Sequence, residues 1–452
     1  MRIPRSVRNF STIFKENGFQ CYLVGGAIRD LLKGRVHADW DIATDARPEQ
    51  VMGLFRRVIP TGIKHGTVTV FYQDTRFEVT TFRIESRYSD GRRPDSVTFA
   101  PTIFEDLSRR DFTINAIAYD LYTGEIHDPY EGRRDLARGV VRAIGDPDAR
   151  FHEDGLRPLR ACRFAAQFSF TVEEATLSAI RRAIDVAAIV SMERVRDELI
   201  KILESPLPSA GFFLMRDTGL LSVILPELAE GDGIAQGELH CYDVLTHSLY
   251  ACDAAPASDL TVRLAALFHD VGKPRSRRVE DGGRITFHSH EDLGSKMTED
   301  ILRRLRFPSA TQKLVSHLVS NHMFNYREDW SDGAVRRLIA RVGEQNIESL
   351  MLLRRADQVG MCRENAGRFP ESLARFSERV QTVLDGEKAF SVKHLAVNGT
   401  DIMEGLGLSP GPVVGTILSE LLDTVLEDPG VNEKGKLLEI AKRLYTQRIR
   451  PG

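Results

Sequence analysis

Asp39 and Asp41 stand two residues apart in DWDIAT, a stretch that reads as a short strand. A strand turns alternate side chains to one face, so both carboxylates project together while Trp40 and Ile42 face the other way. Adjacent carboxylates repel unless a cation lies between them. Their hard oxygens suit Mg2+, which usually completes its shell with water and substrate phosphates. Two metals held in this way can clamp the attacking and leaving oxygens of an in-line phosphoryl displacement. A DxD pattern by itself is more often a solvated pair at a strand end, but its surroundings add weight here. Upstream, CYLVGGAIRDLLKG reads as a buried strand, a Gly25-Gly26 turn and a short helix closed by Gly34. Backbone N–H groups at such a helix start can hold a triphosphate. Gly26 lies at that turn, and Arg29 is expected on the first helical turn, within reach of the same anion.

Further segments carry chemistry of the same kind. Glu78 in RFEVTTF is a third acidic candidate, with a plain surface strand residue as the equal alternative. In RRDFTINAIAYD, the Arg110 guanidinium is well shaped for phosphate, and Asp111 and Asn115 are expected to brace the site, Asp111 by pairing with an arginine. In EDGLRPLRACRFAAQF, Asp154 and Arg157 are three apart and expected on one helix face, continued by Arg160 and Arg163. In SMERVRDEL, Ser191 is an expected N-cap and Arg194 an expected i,i+4 partner of Glu198. Further on, His247, His269-Asp270 and Asp357 occur in DVLTHSL, LAALFHDVGKP and RRADQVG, with His290 in FHSHEDLG and His322 in VSNH. Imidazole and carboxylate together suit a transition metal or Mg2+.

Positioning these groups requires an ordered frame. Val7, Phe10 and Phe14 have helical spacing, ended by Gly18. PEQVMGLFRRV reads as a helix with Pro48 near its start. GTVTVFYQ and RFEVTTFRI read as strands of a hairpin joined at Asp74-Thr75. Beyond residue 150 helical patterns dominate, broken at SPLPS (205–209) and at EGDGIAQG (230–237). In the helical middle, Arg303, Arg304 and Arg306 form a basic cluster that a solvated helix face explains by default, and in the tail Gly411 and Pro412 precede an amphipathic helix.

The chain has 452 residues, more than one core usually serves. Its hydrophobic fraction of 42% and charged fraction of 28% are those of a soluble globular protein. No apolar run approaches the roughly 20 residues of a membrane helix, and MRIPRSVRNF lacks an apolar secretory core, so no membrane association is expected. Five cysteines, an odd number without a CxxC pair, point to a reducing cytoplasm. The net charge of −3 does not advertise a nucleic-acid binder, so an RNA enzyme with this balance must concentrate its arginines on one surface.

LVGGAIRDLL followed by DWDIAT resembles the head of the class II tRNA nucleotidyltransferases and bacterial poly(A) polymerases, within the superfamily named for DNA polymerase β. RRDFTINAIAYD (109–120), DPYEGRRDL (128–136), EDGLRPLRACRFAAQF (153–168) and ERVRDEL (193–199) match further motifs in order, from residue 20 to about 225. The histidine-rich segments resemble an HD phosphohydrolase domain, and a fusion of the two is a known architecture of the family. The resemblance implies an α+β fold: a polymerase-β-like head of mixed sheet and helices (1–145), then an all-α neck (146–228), an HD-type body (229–370) and a helical tail (371–452).

It also implies roles. Asp39 and Asp41 would bind catalytic Mg2+. Gly26, Arg29, Arg110, Arg160 and Arg163 would bind the triphosphate. Asp154 and Arg157 would read the Watson–Crick edges of C or A, the carboxylate accepting from the exocyclic amino group that both bases carry. The substrates would be CTP and ATP, and the macromolecular partner tRNA, extended to CCA. Residues 83–97 correspond to a family loop that CC-adding enzymes carry in shortened form; here Arg83, Asp90, Arg92 and Arg93 are all present. A addition is the runner-up. An HD phosphohydrolase with a nucleotide-sensing head and a non-catalytic RNA-binding protein are the alternatives from other classes. His247, His269, Asp270, His290, His322 and Asp357 would hold a divalent metal of unspecified identity and remove terminal phosphate from RNA ends. The oligomeric state is left open.

Overall fold

The computed structural model describes residues 3–34, 40–63, 66–86, 96–237, 241–324, 326, 329–362, 371–386 and 390–449. Asp39, Asp90, Arg92 and Arg93 lie outside the described residues. The chain divides into two compact units, Met1–Ala229 and Glu230–Gly452.

The first unit opens with helix α1 (Arg5–Glu16), strand β1 (Tyr22–Val24), helix α2 (Gly25–Leu32), strand β2 (Trp40–Thr44) and helix α3 (Pro48–Leu54). Strands β3 (Val58–Gly62), β4 (Thr67–Tyr72), β5 (Thr75–Thr81), β6 (Arg83–Ser86) and β7 (Ser96–Phe99) follow, then α4 (Ile103–Ser108), β8 (Ala118–Asp120) and β9 (Ile126–His127). Seven of these strands form one mixed sheet in the order β3-β4-β5-β2-β1-β8-β9, in which β2 and β5 run parallel. Val7, Phe10 and Phe14 of α1 are buried against it, and Phe10 stacks on Phe77 of β5 with ring centroids 3.8 Å apart. Along β5, Phe77, Val79 and Thr81 are buried while Arg76 and Glu78 are exposed, the alternation a one-sided strand dictates.

Two local expectations shift. The hairpin turns at Gln73-Asp74, both with positive φ (46° and 59°), the pairing that matches strand twist in a two-residue loop. The expected helix over 48–58 stops at Leu54 and gives way to β3, which contains Pro60. A strand with proline is tolerated at a sheet edge, where no neighbour needs the missing N–H, and β3 is the edge.

The helical part of this unit comprises α5 (Gly132–Arg138), α6 (Pro147–Glu153), α7 (Arg157–Phe168), α8 (Glu174–Arg182), α9 (Ile184–Ala188), α10 (Met192–Leu203) and shorter helices to Ala229. Asp154 and Arg157 do not share a helix: Asp154 is the extended residue that ends α6, and Arg157 opens α7. Gly155 stands at the break, where a Cβ would lie 2.1 Å from the Val186 carbonyl oxygen, so only glycine admits this close approach. Pro158 suits a helix start and not an interior.

Among its described residues, the second unit is helical apart from a small hairpin, Arg277–Val279 with Ile285–Phe287. Helix Val244–Ala254 packs along helix Ile347–Met361. Ile402, Ile417, Leu421, Val425 and Leu437 form a separate apolar cluster in the tail, which includes helix Pro412–Glu427 behind Gly411. Arg303 pairs with Asp300 at 2.8 Å on an exposed helix face, as a solvated cluster would. The cysteines depart from the uniformly reduced set that their number suggested. Cys21, Cys162 and Cys252 are free and buried, but Cys241 and Cys362 are joined by a disulfide across a sequence separation of 121. That spacing carries no local signature.

Candidate functional site

A cavity of about 420 Å³ in the first unit gathers most of the expected nucleotide site. Gly25, Gly26, Arg29, Asp41, Arg110, Asp154, Arg157, Arg160 and Arg163 all line it, with Arg109, Asp111, Asn115, Leu156, Phe164 and Arg194. Seven arginines face three aspartates there, so a chain of net charge −3 concentrates positive charge where a polyphosphate would bind.

The turn after β1 shapes one end of the cavity. Gly25 opens α2 with φ +63°, and a Cβ on it would stand 3.1 Å from Arg110 Nη1 and 3.2 Å from Asp41 Oδ2. Glycine is therefore required both by conformation and by the approach of these two side chains. Because α2 begins at Gly25, Arg29 falls on its second turn and not its first. It is buried, its Nη1 donates to Asn115 Oδ1 at 2.6 Å, and its guanidinium lies over the Phe168 ring. Asp41 is paired in register with Glu78 across β2 and β5, so both carboxylates leave the same face of the sheet, and both line a second depression of about 430 Å³.

A chain of hydrogen bonds links this end to α7. Asn115 Nδ2 donates to Asp111 Oδ1 at 2.9 Å, and Arg160 Nε donates to Asp111 Oδ2 at 2.7 Å. Burial alone would push the Asp111 carboxyl up, but Arg160, the Asn115 hydrogen bond and Arg157 hold it well below the usual carboxylate range. Burial and the neighbouring Arg160 push Arg163 down to about 10 against the pull of Glu198, which leaves it cationic at neutral pH. Asp106, which sequence reasoning passed over, is fully buried and holds both Arg109 (2.8 Å) and Arg110 (3.0 Å). Its signal was the i,i+3 and i,i+4 spacing to those arginines.

At the other end, Asp154 Oδ1 accepts from the Leu156 amide at 3.0 Å and its Oδ2 from Arg194 Nη2 at 2.7 Å. Arg157 donates from Nη1 to the Arg150 carbonyl and to Glu153, and from Nη2 to the Arg109 carbonyl. Both side chains are thus fixed at the wall of the cavity. The expected Arg194–Glu198 pair does not form. Buried Glu198 faces α7 and lies 2.7 Å from Arg163 Nε, while Arg194, one turn earlier, reaches into the gap between α6 and α7. Ser191 stands at the N-cap of α10 but its hydroxyl makes no capping bond.

The second unit assembles all six expected HD residues, each buried. His247 comes from helix Val244–Ala254, and His269 and Asp270 follow helix Leu260–Phe268. His290 opens helix His290–Arg304, His322 ends helix Ser309–Asn321, and Asp357 lies on helix Ile347–Met361. Gly272 allows the approach, since a Cβ there would lie 2.3 Å from the His290 carbonyl oxygen. His247 Nε2 lies 2.9 Å from His269 Nε2 and 3.2 Å from Asp357 Oδ1. Asp270 Oδ1 lies 3.5 Å from His290 Nε2 and 3.7 Å from His322 Nε2. Two sets are close enough to share an ion each, His247–His269–Asp357 and Asp270–His290–His322.

The donor chemistry fits a metal. Nδ1 of His269, His290 and His322 is engaged with the carbonyl of Ala266, Phe287 and Val319, respectively, at 2.7–2.8 Å. This fixes the tautomer and turns each Nε2 inward as a ligand atom. Nε2 of His290 and His322 is buried without a hydrogen-bond partner among the described residues, as expected of atoms meant for an ion. Burial would raise the Asp270 carboxyl, but His269 and Lys273, whose Nζ is 2.7 Å away, hold it well below its ordinary value.

An arginine-lined cavity against a carboxylate strand in a mixed-sheet head, followed by a helical body that gathers the HD residues, defines a polymerase-β-like nucleotidyltransferase joined to an HD domain. Residues 21–142 match the poly A polymerase head domain, residues 169–231 the probable RNA and SrmB-binding site of polymerase A, and residues 238–361 the HD domain. The chain is 38% identical to the A-adding tRNA nucleotidyltransferase of Deinococcus radiodurans, over 89% of this chain and 90% of that protein. It is 33% identical to the CCA-adding enzyme of Enterococcus faecalis, over 98% and 97%. The crystal structure of the Bacillus stearothermophilus CCA-adding enzyme in complex with CTP superposes with a TM-score of 0.77 at 29% identity, over 99% of each chain. The chain belongs to the tRNA nucleotidyltransferase and poly(A) polymerase family, in its HD-containing form. Among the described residues, no helix is long and apolar enough to cross a membrane.

Proposed function

We propose that this enzyme completes the 3′-terminal CCA of tRNA from CTP and ATP without a nucleic-acid template, in the cytoplasm. The observation that carries the reading is the single cavity in which Gly26, Asp41 and Arg110 meet Asp154 and Arg157. In this reading the triphosphate lies against the α2 turn and the arginines Arg110, Arg160 and Arg163. Asp154 Oδ2, held by Arg194, accepts from the exocyclic amino group of C or A. Arg157 donates to ring acceptors. U and G carry a carbonyl where C and A carry the amino group, and the carboxylate rejects them. The tRNA 3′-hydroxyl then attacks the α-phosphate, a new P–O bond forms and pyrophosphate leaves. Asp39 and Asp41 would hold Mg2+, with Glu78 as a neighbouring carboxylate; when bound, the ion lowers the hydroxyl pKa and neutralises developing charge. The similarity to the E. faecalis and B. stearothermophilus enzymes supports CCA addition. The 38% identity to the D. radiodurans enzyme supports a second reading, A addition alone. Radiolabelled CTP and ATP offered with tRNAs ending before CCA, after C and after CC decide between them. Completion of all three is expected; extension of only the CC-ended tRNA by one A would establish the second reading.

We further propose that the HD residues hold a divalent metal and hydrolyse phosphoesters at RNA 3′ ends, such as a 2′,3′-cyclic phosphate, a first water opening the ring to a monophosphate and a second releasing inorganic phosphate, to prepare a hydroxyl for the head. His269→Ala with Asp270→Ala is expected to lower phosphate release by at least ~100-fold through loss of the metal's charge stabilisation, with A incorporation into CC-ended tRNA unchanged. Equal release by the variant would remove the assignment.

A further inference from the structure

Of the five cysteines, the two that reach the surface are the two that are paired. Cys241 is exposed and Cys362 half-buried, whereas Cys21, Cys162 and Cys252 are enclosed. Cys241 stands three residues before helix Val244–Ala254, which carries His247. Cys362 directly follows helix Ile347–Met361, which carries Asp357. Their Cα atoms are 5.3 Å apart, and the Cys241 amide also donates to the Met361 carbonyl at 3.0 Å. The two helices meet closely: a Cβ on Gly360 would lie 2.8 Å from the Ala251 nitrogen. The disulfide therefore ties together the two helices that hold His247 Nε2 and Asp357 Oδ1 at 3.2 Å.

We propose that Cys241 and Cys362 form a reversible modification site that sets the divalent-metal affinity of the His247–His269–Asp357 ligand set. The proposal rests on the reading that these residues hold a metal. A ligand set performs only when its atoms stay within about 0.5 Å of productive geometry. Here two of three ligands come from segments far apart in sequence, and the disulfide cross-links the helices that bear them. Without the bond their spacing relies on packing and on the Cys241–Met361 backbone hydrogen bond. Oxidation requires a low-molecular-weight disulfide such as oxidised glutathione. One cysteine thiolate attacks it and expels a thiolate, forming a mixed disulfide. The other cysteine thiolate then attacks the protein sulfur and expels the second thiolate. The cysteine pair loses two electrons and two protons, and the small disulfide becomes two thiols. A dithiol reverses the exchange.

The test uses the full chain, oxidised with glutathione disulfide or reduced and freed of reductant. Thiols counted in denaturant should number three in the first state and five in the second, as Cys21, Cys162 and Cys252 stay free. Mn2+ is then titrated and free ion read by electron paramagnetic resonance. Sites that disappear in His269→Ala belong to the HD set, which separates them from any in the head. The dissociation constant of those sites is expected to rise about tenfold on reduction, the scale at which groups supporting metal ligands act. Cys241→Ser and Cys362→Ser should each show the weaker value in both redox states, with nucleotide incorporation unchanged. Five free thiols after oxidation, or one affinity in both states, would overturn the proposal. If His269→Ala removes no Mn2+ site in either state, the metal reading itself fails and the redox site falls with it.

Discussion

Asp41→Ala is expected to lower nucleotide incorporation into tRNA by roughly a thousand-fold or more, because the carboxylates of this strand would hold the ion that supplies several kcal/mol of transition-state stabilisation. Asp41 sits beside Gly25 and Arg110 and in register with Glu78, so its removal strips charge from the point where, in the proposed reading, polyphosphate would meet the sheet. Its side chain is only half-buried, and the core residues Ile42 and Ala43 are untouched. Single-turnover incorporation of ATP into CC-ended tRNA measures the effect, and thermal unfolding serves as the control for fold. A variant that unfolds like the parent and keeps more than a tenth of its rate would show that Asp41 is not a metal-holding residue.

Asp154→Ala should lower kcat/KM for CTP and ATP by roughly 10- to 150-fold, the span of a hydrogen bond to a charged group worth about 1.5–3 kcal/mol. The same loss should not fall on UTP and GTP, which carry a carbonyl at the position where CTP and ATP present the amino group. Discrimination against them should therefore shrink by a comparable factor. Steady-state incorporation of the four nucleotides into one tRNA gives all the ratios. Equal decline for all four would make Asp154 a structural residue, a real alternative since its Oδ1 also caps the Leu156 amide and its Oδ2 neutralises Arg194.

Much of the head was readable from local pattern. The buried strand before Gly25-Gly26, the alternation in β5 and the apolar face of α1 each follow from spacings of two or of three to four residues. Where reading went astray, an exception to such a rule was at work. Pro60 hid an edge strand, Gly155 and Pro158 divided what looked like one helix, and Arg194 had a nearer partner in space than Glu198. The six HD residues were identifiable because their order and local contexts resemble those of the HD family, although no spacing rule could state that His247 and His269 lie 2.9 Å apart.

The sequence by itself determined the family, the order of head and helical body, and which residue types could do phosphoryl and metal chemistry. These follow from motifs and from periodicities that need only a few neighbouring residues. Tertiary structure alone decided the partners: Arg29 with Asn115 across 86 residues, Asp111 with Arg160 across 49, Asp154 with Arg194 across 40 and Cys241 with Cys362 across 121. It also decided that seven arginines of a slightly acidic chain share one cavity. Such pairings depend on where packed helices and strands bring distant segments together, and on which buried charge is nearest once water is gone.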